Sequence, residues 1–116
     1  MLNAKNRIGK KRFAELITGG AKIATEFFVV RYKKNLADLK QLQFSAVAPK
    51  KIAKKAVDRN YFRRRTYHAI REVIGKSSSG YYAAIFFAKS DLRSVSFFAL
   101  KTDIKKAIDR ITAVSN

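Results

Sequence analysis

Apolar positions along this chain recur every third or fourth residue in some stretches and every second in others, which predicts a mixed α+β fold. In residues 10–18, Phe13, Leu16 and Ile17 fall at i, i+3 and i+4, a short helix that Gly19-Gly20 stops. A brief extended piece over 21–25 leads into 26–33 (EFFVVRYK), whose β-branched and aromatic content predicts a strand. Phe28, Val30 and Tyr32 share one face of it, and Phe27, Val29 and Arg31 the other. Both faces are largely apolar, so this strand is expected to be central. Residues 35–40 form a polar connection. Residues 41–48 predict a second strand, with Phe44, Ala46 and Ala48 opposite Gln43, Ser45 and Val47, and Pro49 ends it.

Helical periodicity returns over 57–74, with Phe62, Thr66, Ala69, Ile70 and Val73 on one side, and Gly75 and the loop KSSSG close it. Residues 81–89 (YYAAIFFAK) predict a third strong strand. A serine within 94–96 can cap a last helix, in which Phe97, Leu100, Ile104, Ala107, Ile108 and Ile111 form one stripe. Lys101, Lys105 and Lys106 face elsewhere. The expected architecture is a sandwich: one small sheet with helices packed on it. The strand–helix–strand segment is long enough for a crossover between parallel strands. No internal repeat or linker divides the chain. A loosely held basic arm (1–9) precedes a single domain (10–112) and a short tail (113–116).

Charge sharpens this picture. The 116 residues carry 26 basic and 8 acidic side chains, a formal charge of +18, yet 47% are apolar. Such a chain can bury a core, so it is not a disordered basic tail. Self-repulsion at this charge favours a polyanionic partner, RNA or DNA ahead of an anionic membrane. No apolar run approaches the roughly 18 residues of a membrane span, and the amino terminus lacks a signal peptide's apolar stretch. With no cysteine, disulfide scaffolds and thiolate zinc sites are excluded, which fits a reducing compartment.

The charge is organised on the central helix. Lys50, Lys51, Lys54 and Lys55 lead into it. Along its outward side Asn60, Arg64, Tyr67 and Arg71 fall at i, i+4, i+7 and i+11, flanked by Arg59 and Arg63. Arginine offers a planar fork of donors suited to phosphate oxygens. Asn60 can bond a base edge or a 2′-hydroxyl, and Tyr67 can stack or donate a hydrogen bond. Catalytic chemistry is sparse by contrast. The lone His68 lies one turn from Glu72, a pair better explained as an exposed helix contact than as metal ligands. The carboxylates are dispersed, and neither glycine segment has P-loop spacing. No catalytic residue and no metal site is expected.

The run KKIAKKAVDRNYFRRRTYHAIRE resembles the signature of the bacterial ribonuclease P protein component: a lysine pair, then Arg-Asn-x-x-(Lys/Arg)-Arg, with further arginines beyond. Lys50, Lys51, Arg59, Asn60, Arg63, Arg64 and Arg71 match position by position. RFAELITGGAKIATEFFVVRYKKN, the strand YYAAIFFAKS and the last helix also fall where that family places them, over about residues 7–112. The chain departs at Tyr61 and Tyr67, often arginine, at Ala53, often glycine, and at Ile17, often a second aromatic.

The resemblance implies an α-β-β-β-α-β-α sandwich, ribosomal protein S5 domain 2-like, with a left-handed β-α-β crossover against the usual rule. It implies a cytoplasmic protein subunit that binds ribonuclease P RNA through the basic helix and the 5′ leader of precursor tRNA in a cleft. Phe13, Ile17, Val29 and Arg31 would line that cleft. Magnesium, held mainly by RNA, would support the cut, and neither a membrane nor a small-molecule substrate is implied. Three other readings remain open: a structural RNA-binding protein such as a small ribosomal protein or RNA chaperone, an autonomous metal-dependent nuclease, and a basic membrane-surface protein.

Overall fold

Alternating apolar side chains build the sheet, and the computed structural model describes residues 6–34, 42–74 and 82–113 of it and its helices. The elements run α1 (Lys10–Gly19), β1 (Ala21–Ala24), β2 (Phe28–Lys34), β3 (Gln43–Val47), α2 (Ala56–Ile74), β4 (Tyr82–Ala88) and α3 (Phe97–Ala113). The predicted connection at 35–40, the loop at 76–80, residues 1–5 of the arm and 114–116 of the tail lie outside the described residues. Strand order is β1-β2-β4-β3. β2 is antiparallel to both β1 and β4, while β3 and β4 run parallel. The segment joining β3 to β4 through α2 is therefore the expected parallel crossover, and β2 is an inner strand.

Register decides which side chains meet. Val30, Phe86 and Ala46 stand in one row across the sheet, and Tyr32, Ala84 and Phe44 in another. This face is the core. Phe86 meets Phe28 edge-on at 5.4 Å and tilts against Phe44 at 6.3 Å. Phe62, Ile70, Leu100, Ile104 and Ile111 of α2 and α3 close over it. The opposite face is only half covered: α1 sets Leu16 against Ala83 and Ile85.

Local chemistry fixes the ends of the elements. The Gly20 N–H bonds the Leu16 carbonyl at 3.0 Å, and a Cβ on Gly20 would lie 2.5 Å from that same oxygen. Close backbone approach, rather than an unusual φ, requires glycine there. The Ser96 hydroxyl caps α3, accepting from the Ala99 N–H at 3.1 Å.

One feature departs from the sequence reading. Residues 6–8 are not a loose arm: the Ile8 N–H bonds the Phe44 carbonyl at 3.0 Å, and Asn6 Nδ2 donates to the Leu42 carbonyl at 2.7 Å. Residues 6–8 run beside β3 because an edge strand leaves backbone groups to satisfy. Asp103, within α3, is buried. Its carboxylate accepts from the Thr25 hydroxyl at 2.7 Å and from the Glu26 and Phe27 N–H groups at 3.1 and 3.0 Å, tying α3 to the β1–β2 turn.

Candidate nucleic-acid interface

α2 packs against two partners at once, β3 and α3, and so buries a broad arc that includes Phe62, Thr66, Tyr67, Ala69 and Ile70. Its outward arc exposes Asn60, Tyr61, Arg63, Arg64, His68 and Arg71. Tyr67 does not belong to that arc. It is 7% exposed, and its hydroxyl accepts the Ala46 N–H at 3.1 Å. The helical spacing that placed it beside Arg64 was correct, but the core wraps further round the helix than one contact face would. The ring still borders a depression of about 410 Å³ with Val57, Asn60, Arg63 and Arg64.

The arginines of this helix divide into two kinds. Arg59 donates to the carbonyls of Ala53 at 3.1 Å and Lys54 at 2.8 Å, holding the lead onto the helix. Arg65 donates to Leu92 at 2.7 Å and Val95 at 2.5 Å, with its guanidinium 5.5 Å from the Tyr61 ring centre. Arg63 and Arg64 are exposed and engage no partner among the described residues. Asn60 and Arg63 also border a second depression, about 420 Å³, against the Ser45–Ala48 backbone of the β3 edge. One depression thus borders both open guanidinium forks, and the second borders Arg63 and the Asn60 amide.

The lead lysines add to this. Lys50, Lys51, Lys54 and Lys55 are all exposed, at or just before the α2 N-terminus, where the helix dipole is already positive. Asp58 is the one acid in the first turn of α2. Cations stacked at this end oppose folding, and a bound polyanion relieves the opposition.

On the half-covered face of the sheet, Ile17, Val29 and Arg31 line one cleft of about 430 Å³. Strand pairing explains it: Lys22 stands across from Arg31, and Val29 across from Phe87, on the same face. Lys22, Lys51, Phe87 and Lys89 also line it. Lys51, expected with the helix, therefore belongs to the cleft. Phe13, expected in the lining, stands behind it with its ring edge-on to Phe87 at 6.4 Å. Ile8, Phe13 and Phe87 pack around the small cluster of Leu16 and Ile85, which draws Phe13 inward. Arg31 is oriented by a bond from Nη1 to the Gly20 carbonyl at 3.2 Å.

His68 Nε2 lies 3.2 Å from Glu72 on exposed helix surface. Among the described residues no three of His, Cys, Asp or Glu gather as metal ligands. In the segment before α3, a hydrogen bond from the Arg93 side chain holds the Asp91 carboxyl below its ordinary range, and the same bond raises Arg93. No described helix is long and apolar enough to cross a membrane.

Known proteins bear on this geometry. The family model for ribonuclease P matches residues 2–112. No curated protein sequence matches the chain. The RNase P protein of Staphylococcus aureus, at 23% identity, superposes with a TM-score of 0.70 over 96% of this chain and 98% of its own. That of Thermotoga maritima, at 20% identity, superposes with a TM-score of 0.73 over 95% of this chain and 98% of its own. These likenesses show the same α+β fold, and the family match over nearly the whole length shows the lineage. The chain belongs to the ribonuclease P protein family, as a protein subunit of that tRNA-processing ribonucleoprotein.

Proposed function

We propose that the outer face of α2 docks on ribonuclease P RNA and that the cleft beside α1 receives the 5′ leader of precursor tRNA. One observation carries the first half: Arg63 and Arg64 have no partner among the described residues, both border one depression with exposed Asn60, and Arg63 and Asn60 border a second. Guanidinium forks match phosphate oxygens, and an amide can bond a 2′-hydroxyl or base edge of folded RNA. Lys50, Lys54 and Lys55 extend the positive surface, and Arg71 continues it along the helix.

The cleft supports the second half. Its floor is apolar at Ile17, Val29 and Phe87, and its rim is cationic at Lys22, Arg31, Lys51 and Lys89. A single strand has no fixed duplex shape, so a charged groove with an apolar floor suits it. In this reading the chain supplies affinity and position to a magnesium-dependent cut made by the RNA in the cytoplasm.

The test is cleavage of precursor tRNA by the RNA with and without this protein at low magnesium. The protein is expected to restore cutting where RNA alone is slow, and Val29→Glu to lessen that gain for substrates with a leader. No gain from the protein would refute the subunit's assisting role. An equal gain on a substrate whose leader is cut back to one nucleotide would refute the cleft assignment and leave a general RNA binder.

A further inference from the structure

Beside the arginine face lies an aromatic cluster that the reading above does not use. His68 is on the outward arc of α2, one turn from Arg64. Its ring lies 5.0 Å from that of Phe97 at the start of α3. Lys101 Nζ stands 5.5 Å from the Phe97 ring centre, and its charge is met by Glu72 at 3.1 Å. Phe98 follows Phe97 in α3 and is 76% exposed, the most open large apolar side chain among the described residues.

A single exposed phenylalanine means little on its own. Here it follows Phe97 in sequence, whose partly buried ring packs against the core and meets His68 and Lys101, both of them partly solvent-facing. Glu72 offsets Lys101, so the cluster offers ring faces rather than net charge. That is poor chemistry for phosphate and good chemistry for a nucleobase, which stacks on aromatic side chains without regard to sequence. The neighbouring Arg64 would hold the strand that delivers the base. A second copy of the chain is disfavoured as occupant, because two molecules of charge +18 repel each other.

We infer that His68, Phe97 and Phe98 form a stacking platform for an unpaired nucleotide of the RNA that docks on α2. The platform rests on the RNA-docking reading of that helix and extends it to a second kind of contact. Stacking contributes a useful fraction of affinity per base but releases no counterions, so it leaves the salt dependence alone.

The experiment measures affinity for ribonuclease P RNA, and its salt dependence, for the wild type, Arg64→Ala, Phe98→Leu, Phe98→Trp and the His68→Ala/Phe98→Ala pair. The pair is expected to bind about tenfold more weakly with an unchanged salt slope. Phe98→Leu keeps apolar bulk without a ring and should also weaken binding, whereas Phe98→Trp should match or exceed the wild type. Wild-type affinity in the alanine pair would overturn the platform while leaving the arginine face standing, provided Arg64→Ala weakens binding. Full affinity in Phe98→Leu would also overturn it. If Arg64→Ala binds normally too, the docking reading itself fails. Self-association of the free protein, abolished by Phe98→Ala, would assign the patch to a second copy and overturn the proposal.

Discussion

Arg63 and Arg64 differ from Arg59 and Arg65 in what surrounds them, not in what they are. Arg59 and Arg65 direct their guanidinium groups at backbone carbonyls, one clamping the lead to the helix and the other holding the Leu92–Val95 loop against it. Arg63 and Arg64, on the same helix, engage no partner among the described residues. The arginines of α2 therefore serve two ends: Arg59 and Arg65 stabilise the fold, and under the proposed function Arg63 and Arg64 are kept for the RNA. Folding alone gives no reason to hold the open pair amid so much positive charge, and an anionic partner does.

Substitutions can break this division. Arg65→Ala removes two charge-assisted bonds and strands two carbonyls, so chemical denaturation should show a loss of about 2 kcal/mol. A negligible loss would place Arg65 with the open pair. Tyr67→Phe leaves the Ala46 N–H without its acceptor and should cost about 1 kcal/mol in the same assay, with RNA affinity nearly unchanged. If RNA binding fell instead and stability held, Tyr67 would be a contact after all. Arg64→Ala should move stability by less than about 0.5 kcal/mol while weakening RNA binding. Strong unfolding there would erase the distinction.

The smallest effect concerns pH. The Asp91 carboxyl is held low by the Arg93 hydrogen bond, so its contribution is present above the ordinary carboxyl range and lost as pH falls through its lowered value. Both side chains are exposed, so the melting temperatures of wild type and Asp91→Asn should differ slightly at neutral pH and converge in acid. Divergence in acid would reverse the assigned sign.

Much of this was legible in the chain because it rests on local period. Alternation located Phe28, Val30 and Tyr32 on the core face, and the helical stripe of α3 from Leu100 to Ile111 is buried as its spacing required. The element order followed from those periods and from the stops at Gly19-Gly20 and Pro49. What stayed hidden depends on partners distant in sequence. Tyr67 turns inward because α2 meets two elements, a fact no single-helix pattern carries. Asp103 reads as a polar interruption of α3 until the β1–β2 turn arrives 76 to 78 residues away. The cleft was half visible. Ile17, Val29 and Arg31 were foreseen, whereas Lys22, Lys51 and Lys89 needed the strand register and the turn after Pro49. Pairing residues 21–24 against β2 would have signalled Lys22, since it faces Arg31.

The most direct test of the central claim is the salt dependence of RNA affinity for the wild type and for the Arg63→Ala/Arg64→Ala pair. With about five phosphates neutralised, log affinity should fall with log salt at a slope of roughly −3.5 to −4.5 in the wild type, and the pair should be shallower by about 1.5 to 2. Two lines of equal slope would contradict the claim that these open guanidinium groups meet phosphate.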